Sequence, residues 1–73
     1  MKQAQLRITL KAARVNADMS QNEVAEILTK EFGTKISRQR ISNFEAKPAN
    51  VPPIFGKALA DIYGLPIDAI SFA

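Results

Sequence analysis

The segment from Ser20 to Glu45, SQNEVAEILTKEFGTKISRQRISNFE, predicts two helices joined by a turn. Ser20 followed by Glu23 forms a capping-box pattern, in which the two side chains satisfy free backbone N–H groups at a helix start. Apolar residues at helical spacing follow, and we expect them to be buried: Val24, Ile27, Leu28 and Phe32. Gly33 is suited to the left-handed end of this helix, and Ser37 offers an N-cap oxygen to the next one.

The second of these helices is predicted to carry one polar side. At about 100° per residue, Ile41 and Phe44 share the inward side, and Arg38 lies in the first turn. Short side chains occupy the opposite side: Gln39, Ser42, Asn43 and Ala46. Amide and guanidinium groups suit the base edges of a DNA major groove, which is about 12 Å wide and admits one helix. The same side could equally be a solvated surface, and the helical wheel leaves both interpretations open.

Composition restricts the possible classes of protein. The chain of 73 residues is 47% hydrophobic, which predicts one folded domain spanning residues 1–73. It contains no cysteine and no histidine, so disulfides are impossible and we expect no metal or cofactor site. The net charge of +3 weakly favours an anionic partner. No apolar run is long enough to cross a bilayer and no signal-peptide pattern opens the chain, so we expect a soluble cytoplasmic protein without a membrane partner.

Three further helices are predicted outside the central segment. Apolar residues at helical spacing from Leu6 onward predict a first helix over residues 6–17, followed by a left-handed turn at Asp18. A proline-containing loop then leads into a fourth helix, from about Pro53 to Tyr63. Residues 67–72 predict a short fifth helix, so the expected fold class is all-α with five short helices.

Three ordered motifs carry a resemblance to a known family. They are Ser20-Gln21-x-Glu23-Val24-Ala25, Ser37-Arg38-x-x-Ile41-Ser42-x-Phe44-Glu45 and Leu59-Ala60-x-x-x-Gly64-Leu65-x-x-Asp68. With these motifs the chain, from Leu6 to about Ile70, resembles the Cro/XRE-type helix-turn-helix family. The resemblance implies the lambda-repressor-like DNA-binding fold, with the helix-turn-helix formed by the second and third helices.

The resemblance also implies roles for individual residues. In this family the third helix lies in the major groove of DNA, with its N-terminal residues on base edges. Arg38, Gln39 and Asn43 match base-reading positions, and Ser42, which shares their side of the helical wheel, is predicted to read bases with them. Gln21 matches a position that anchors a backbone phosphate in this family. Contacts to the DNA backbone are also predicted for Ser37 and Arg40, and for Lys47 and Asn50, the polar groups of the proline-containing loop. Arg14 and Glu45 match a pair that forms a buried ion pair in some relatives, so their implied role is structural.

The function implied by the resemblance is sequence-specific regulation of transcription, most simply as a phage- or mobile-element-type repressor. Such a protein binds double-stranded DNA as a homodimer, on an operator whose inverted half-sites lie roughly 34 Å apart. Apolar residues near the end of the sequence, Ile70 and Phe72, are candidates for the dimer contact. The alternative is that Ile70 belongs to the core and Phe72 only covers it.

The sequence also departs from the family pattern. The segment from Ala25 to Ser37 is several residues longer than usual, so that either the second helix is extended or the following turn is enlarged. Pro53 and Ile54 stand where some relatives carry basic residues. These residues and the low net charge motivate an alternative function, a protein-interaction module such as an antitoxin or adaptor that retains the fold. An enzyme is not expected, since paired carboxylates and a glycine-rich phosphate loop are missing along with histidine and cysteine.

Overall fold

The computed structural model describes residues 7–73. Its secondary structure consists of four α-helices, two 3-10 turns and two short strands. In chain order these are β1 (Ile8–Thr9), α1 (Leu10–Asn16), α2 (Gln21–Phe32), α3 (Arg38–Ala46), a 3-10 turn (Pro48–Asn50), α4 (Pro53–Tyr63), a second 3-10 turn (Ile67–Ala69) and β2 (Ile70–Ser71). The all-α class is confirmed, with four helices in place of the expected five. None of these helices, within the part of the chain that the structure describes, is long and apolar enough to cross a membrane.

A single apolar core holds the helices together. Every helix contributes to it, and its buried members are Leu10, Ala13, Val24, Ala25, Leu28, Ile36, Ile41, Phe44, Leu59, Ala60, Tyr63 and Ile70. Ile27, which the helical spacing assigned to this core, is only half-buried and does not belong to the cluster. Ala25 is buried on α2 instead, at 3% exposure. The buried stripe of α2 is therefore rotated slightly from the expected one.

The predicted helix caps around α2 and α3 are confirmed. The Ser20 hydroxyl accepts from the Glu23 backbone N–H at 3.0 Å, and the Glu23 carboxylate accepts from the Ser20 N–H at 2.8 Å. The Ser37 hydroxyl accepts from the Arg40 N–H at 3.2 Å and begins α3. Gly33 ends α2 at a φ of +69°, and Asp18 takes the left-handed conformation before α2 at a φ of +60°. These local signals fix where the central helices start and stop.

The prediction for the first helix was too long at its N-terminal end. The helix begins at Leu10, because the Thr9 hydroxyl caps it by accepting from the Ala12 N–H at 3.0 Å. Ile8 and Thr9 instead pair in parallel with Ile70 and Ser71. Leu6, where the predicted helix began, lies outside the described residues.

The predicted fifth helix over residues 67–72 is wrong. A 3-10 turn follows Pro66, and Ile70 then adopts an extended backbone with φ of −110° and ψ of 133°. The strand conformation suits a β-branched residue, and the side chain of Ile70 fills the core at 3% exposure. Ile70 is therefore not available as a dimer contact. The ring of Phe72 lies over Gly56, where an added Cβ would stand 3.3 Å from it.

The long connection between α2 and α3 is anchored to the core. Helix α2 extends over 12 residues, and the chain then needs only residues 33–37 to reach α3. Ile36 is 1% exposed. The Thr29 hydroxyl accepts from the Ile36 N–H at 2.9 Å and lies 2.8 Å from the Ala25 carbonyl oxygen and 3.2 Å from that of Ile36. The turn is thus pinned by one buried side chain and one hydroxyl, which fixes the position at which α3 begins.

Candidate nucleic-acid interface

Helix α3 presents a polar side to solvent. Ile41 and Phe44 face the core at 1% and 7% exposure. Three of the four residues implied as base-reading, Arg38, Gln39 and Asn43, are exposed, and Ser42 is half-buried. The structure therefore brings the implied reading residues together on one accessible side of the helix, which we call the reading face (Arg38, Gln39, Ser42 and Asn43).

Two amides of the reading face are bonded to each other. The Gln39 Nε2 group donates to the Asn43 Oδ1 atom at 3.1 Å, one helical turn away. Within this pair, Gln39 keeps one N–H and its carbonyl oxygen unbonded, and Asn43 keeps both of its N–H groups unbonded. The bond holds the two amides side by side and leaves donors and an acceptor free for base edges.

A chain of polar contacts connects the reading face to the interior. The Arg38 guanidinium donates to the Gln21 Oε1 atom at 3.3 Å, and the Gln21 Nε2 group donates to the Glu45 Oε1 atom at 3.0 Å. Glu45 accepts from the Arg14 Nε atom at 2.6 Å, and Arg14 also donates to the Met19 carbonyl oxygen at 2.9 Å. The start of α3, the start of α2 and the end of α1 are therefore tied together through side chains.

The ion pair of Arg14 and Glu45 is largely shielded from solvent. The side chains are 12% and 7% exposed. The hydrogen bond to Glu45 raises the pKa of Arg14 above its ordinary value, against the opposing effect of burial. Burial, with a smaller contribution from the nearby Glu45 carboxylate, raises the pKa of Tyr63 to about 12, so this phenol stays neutral at physiological pH. The pair places two charges that compensate each other at the edge of the core, where α1 and α3 meet.

This pairing shapes the electrostatics of α3. Glu45 is the only acidic residue of the helix, and Arg14 neutralises it. Arg38 and Arg40 on the helix, and Lys47 directly after it, are exposed cations. The exposed charge of α3 and its C-terminal flank is therefore entirely positive, which favours an anionic partner.

Arg40 has a defined place against an aromatic cluster. Its guanidinium carbon lies 4.8 Å from the centroid of the Phe55 ring and 5.6 Å from that of Phe44. Phe55 also packs against Phe32, with ring centroids 4.7 Å apart. A guanidinium on a ring face is restrained by the cation–π attraction, while the N–H groups at its edge remain able to donate.

An open groove lies beside the C-terminal half of α3. It has a volume of about 470 Å³ and is lined by Arg40, Asn43, Phe44, Ala46, Lys47 and Asn50, of which Arg40, Lys47 and Asn50 are implied backbone contacts. We call it the C-terminal groove. Two cations and two amides thus converge on one concave surface next to the reading face.

The two remaining implied backbone residues lie at helix starts. Gln21 is the first residue of α2, and both ends of its amide are already bonded within the protein, which leaves one N–H free. The Ser37 oxygen accepts from Arg40, while its hydroxyl hydrogen is free to donate. The anchoring roles of Thr29 and Ile36, which fix this end of α3, were not predicted from the sequence. The signal for Ile36 is that it is an isolated apolar residue in a polar turn.

Comparison with known proteins identifies the family. The family model described as Helix-turn-helix (HTH_3) matches residues 10–70, which is most of the chain. Comparisons with curated proteins and with solved structures gave no significant match. The match spans all four helices and includes the polar reading face with its cationic flank. The chain therefore belongs to the Cro/XRE-type helix-turn-helix family of DNA-binding transcription regulators.

Proposed function

We propose that this protein is a sequence-specific repressor of phage or mobile-element type, which inserts α3 into the major groove of its operator. The observation that carries the proposal is the reading face, which is exposed, rich in amides and free of uncompensated negative charge. An amide pairs bidentately with adenine and a guanidinium with guanine. Arg38, Gln39 and Asn43 therefore supply the chemistry of direct readout, and Ser42 a hydroxyl between them.

Contacts to phosphates position the reading face on the duplex. Gln21 and Ser37 offer a free N–H and a hydroxyl at the N-terminal ends of α2 and α3. On the other side, the C-terminal groove offers the side chains of Arg40, Lys47 and Asn50. Backbone contacts of this kind fix the register of a protein on DNA without reading its sequence.

We further propose that two copies bind an inverted repeat. A single nine-residue helix reaches only a few base pairs, and proteins of this type gain site length by pairing two half-sites roughly 34 Å apart. Selection of bound sequences from a random DNA pool should return a palindromic site with this spacing. Monomeric scattering at high concentration, with and without the selected DNA, would contradict the dimer.

The dependence of duplex binding on salt tests the proposal. Arg40 and Lys47 are the cations assigned to phosphates, and each neutralised phosphate contributes about −0.9 to the slope of log K against log salt. We therefore expect a slope of about −2 or steeper per bound protomer in fluorescence anisotropy titrations between roughly 50 and 200 mM salt. An affinity that does not change over this range would contradict DNA binding through these residues.

A protein-interaction module is the second candidate. Its support is Ile54, an apolar residue at the start of α4 that is 62% exposed and stands where some relatives carry basic residues. The low net charge of +3 agrees with it. Salt-independent binding to random duplex DNA, in the titration described above, is the result that would favour this candidate.

A further inference from the structure

We propose that Lys35 and Asn22 form a phosphate-binding site for the DNA backbone beside the N-terminal end of α3. This inference rests on the proposed DNA-binding function and adds a contact made by the long connection between α2 and α3. The site lies in a second open groove of about 420 Å³, which we call the N-terminal groove.

The N-terminal groove is bounded by α2 on one side and by the start of α3 on the other. Asn22, Glu26 and Lys30, spaced one helical turn apart, form the first wall, and Lys35, Ser37 and Arg38 form the second. Arg38 belongs to the reading face. The groove therefore opens beside the surface that is proposed to meet DNA.

The backbone around Lys35 is held in place. Ile36, the next residue, is 1% exposed, and its N–H donates to the Thr29 hydroxyl at 2.9 Å. Lys35 is thus an exposed side chain on a fixed turn. Because its Cα is anchored, its ammonium group samples the mouth of the groove without the entropy loss that ordering a loose loop would require.

The charges in the groove favour an anion. Lys30, Lys35 and Arg38 face a single carboxylate, that of Glu26. The ion pairs found in residues 7–73 are those of Arg14 with Glu45 and Lys57 with Asp61, so Lys35 is not committed to an acidic partner there. The Asn22 amide adds a donor beside these cations.

The two grooves lie beside the two ends of α3. Arg40 and Lys47 line the groove beside its C-terminal half, and Lys35 lines the groove beside its start. A helix in a major groove about 12 Å wide has a phosphate backbone on each side. Cations beside both ends of a helix in that groove therefore lie where backbone phosphates can be reached, and this favours a backbone phosphate as the occupant.

The test is a salt titration of the Lys35→Gln variant on random and selected duplexes. Losing one phosphate contact makes the slope of log K against log salt shallower by about 0.9 and weakens binding to both duplexes alike. Between 50 and 200 mM salt, the ratio of the variant's association constant to that of the wild type should therefore rise about 3.5-fold. Lys35→Arg should retain the wild-type slope.

Lys57→Gln is the matched control, because it removes the same charge from an exposed residue of α4 that lines neither groove. It should keep the wild-type slope, and both variants should keep the wild-type melting temperature. An unchanged slope for Lys35→Gln, or an equal change for both variants, would overturn the site while leaving the proposed function intact. A wild-type protein without salt-dependent binding would overturn both.

Discussion

Replacing Glu45 with alanine is expected to lower the free energy of unfolding by about 3–5 kcal/mol. The substitution leaves the Arg14 guanidinium buried without its counter-charge, at 12% exposure. It also removes the acceptor of the Gln21 amide. Domains of this size have total stabilities of roughly 5–15 kcal/mol, so the loss removes a large part of the stability.

Urea denaturation followed by far-UV circular dichroism measures this effect. The Arg14→Met/Glu45→Leu double variant should recover most of the lost stability, because apolar residues of similar size leave no unpaired buried charge. Asp61→Ala is the control: it breaks an ion pair whose side chains are 76% and 72% exposed, which is worth less than about 1 kcal/mol. Equal losses of unfolding free energy in Glu45→Ala and Asp61→Ala would show that the pair of Arg14 and Glu45 stabilises the fold no more than an exposed ion pair does.

Replacing Gln39 or Asn43 with alanine is expected to relax sequence preference. Each substitution should cost about 1–3 kcal/mol of discrimination on the selected operator, because the lost amide is the group that pairs with a base edge. Affinity for random duplex should stay near that of the wild type. Since the two amides bond to each other at 3.1 Å, we expect the loss in the double variant to differ from the sum of the single losses.

Parallel titrations of the operator and a random duplex measure this preference. Asn16→Ala is a matched control, because it removes an exposed amide at the end of α1 that is not part of the reading face. That variant should behave as the wild type on both duplexes. If Gln39→Ala and Asn43→Ala also bound the operator with wild-type affinity, the assignment of the reading face would be wrong.

The parts of the fold that the sequence predicts well are those decided by short-range chemistry. Ser20 and Ser37 cap helices through hydroxyls that reach only three residues along the chain. The left-handed conformations of Asp18 and Gly33 likewise follow from their own side chains or the lack of one. Such signals are readable without knowing where the rest of the chain lies.

The errors arise where distant segments meet. Ile8 and Ile70 pair across almost the whole sequence, and this pairing shortens α1 and replaces the expected fifth helix. Periodicity alone could not reveal it, because a short apolar segment fits either a helix or a strand. The anchoring of the α2–α3 connection by Thr29 and Ile36 is also a tertiary effect.

In the candidate site, too, the features set by local helical geometry were predictable and those set by contacts between distant segments were not. The helical wheel predicted that Gln39 and Asn43 lie on the side of α3 away from the core, because that property depends on helical geometry alone. It could not show that Gln21 bridges Arg38 and Glu45, or that Arg40 lies on the ring of Phe55. These contacts depend on how α2, α3 and α4 pack against one another.

Chemical-shift mapping of the isotopically labelled protein can show which surface meets DNA. During titration with the selected operator, we expect the largest amide shifts in residues 37–43, with further shifts at Gln21 and Asn22. Residues 57–63 of α4 should change little. Shifts concentrated on α4 or on β2, with the amides of α3 unaffected, would contradict the claim that α3 is the surface that meets DNA.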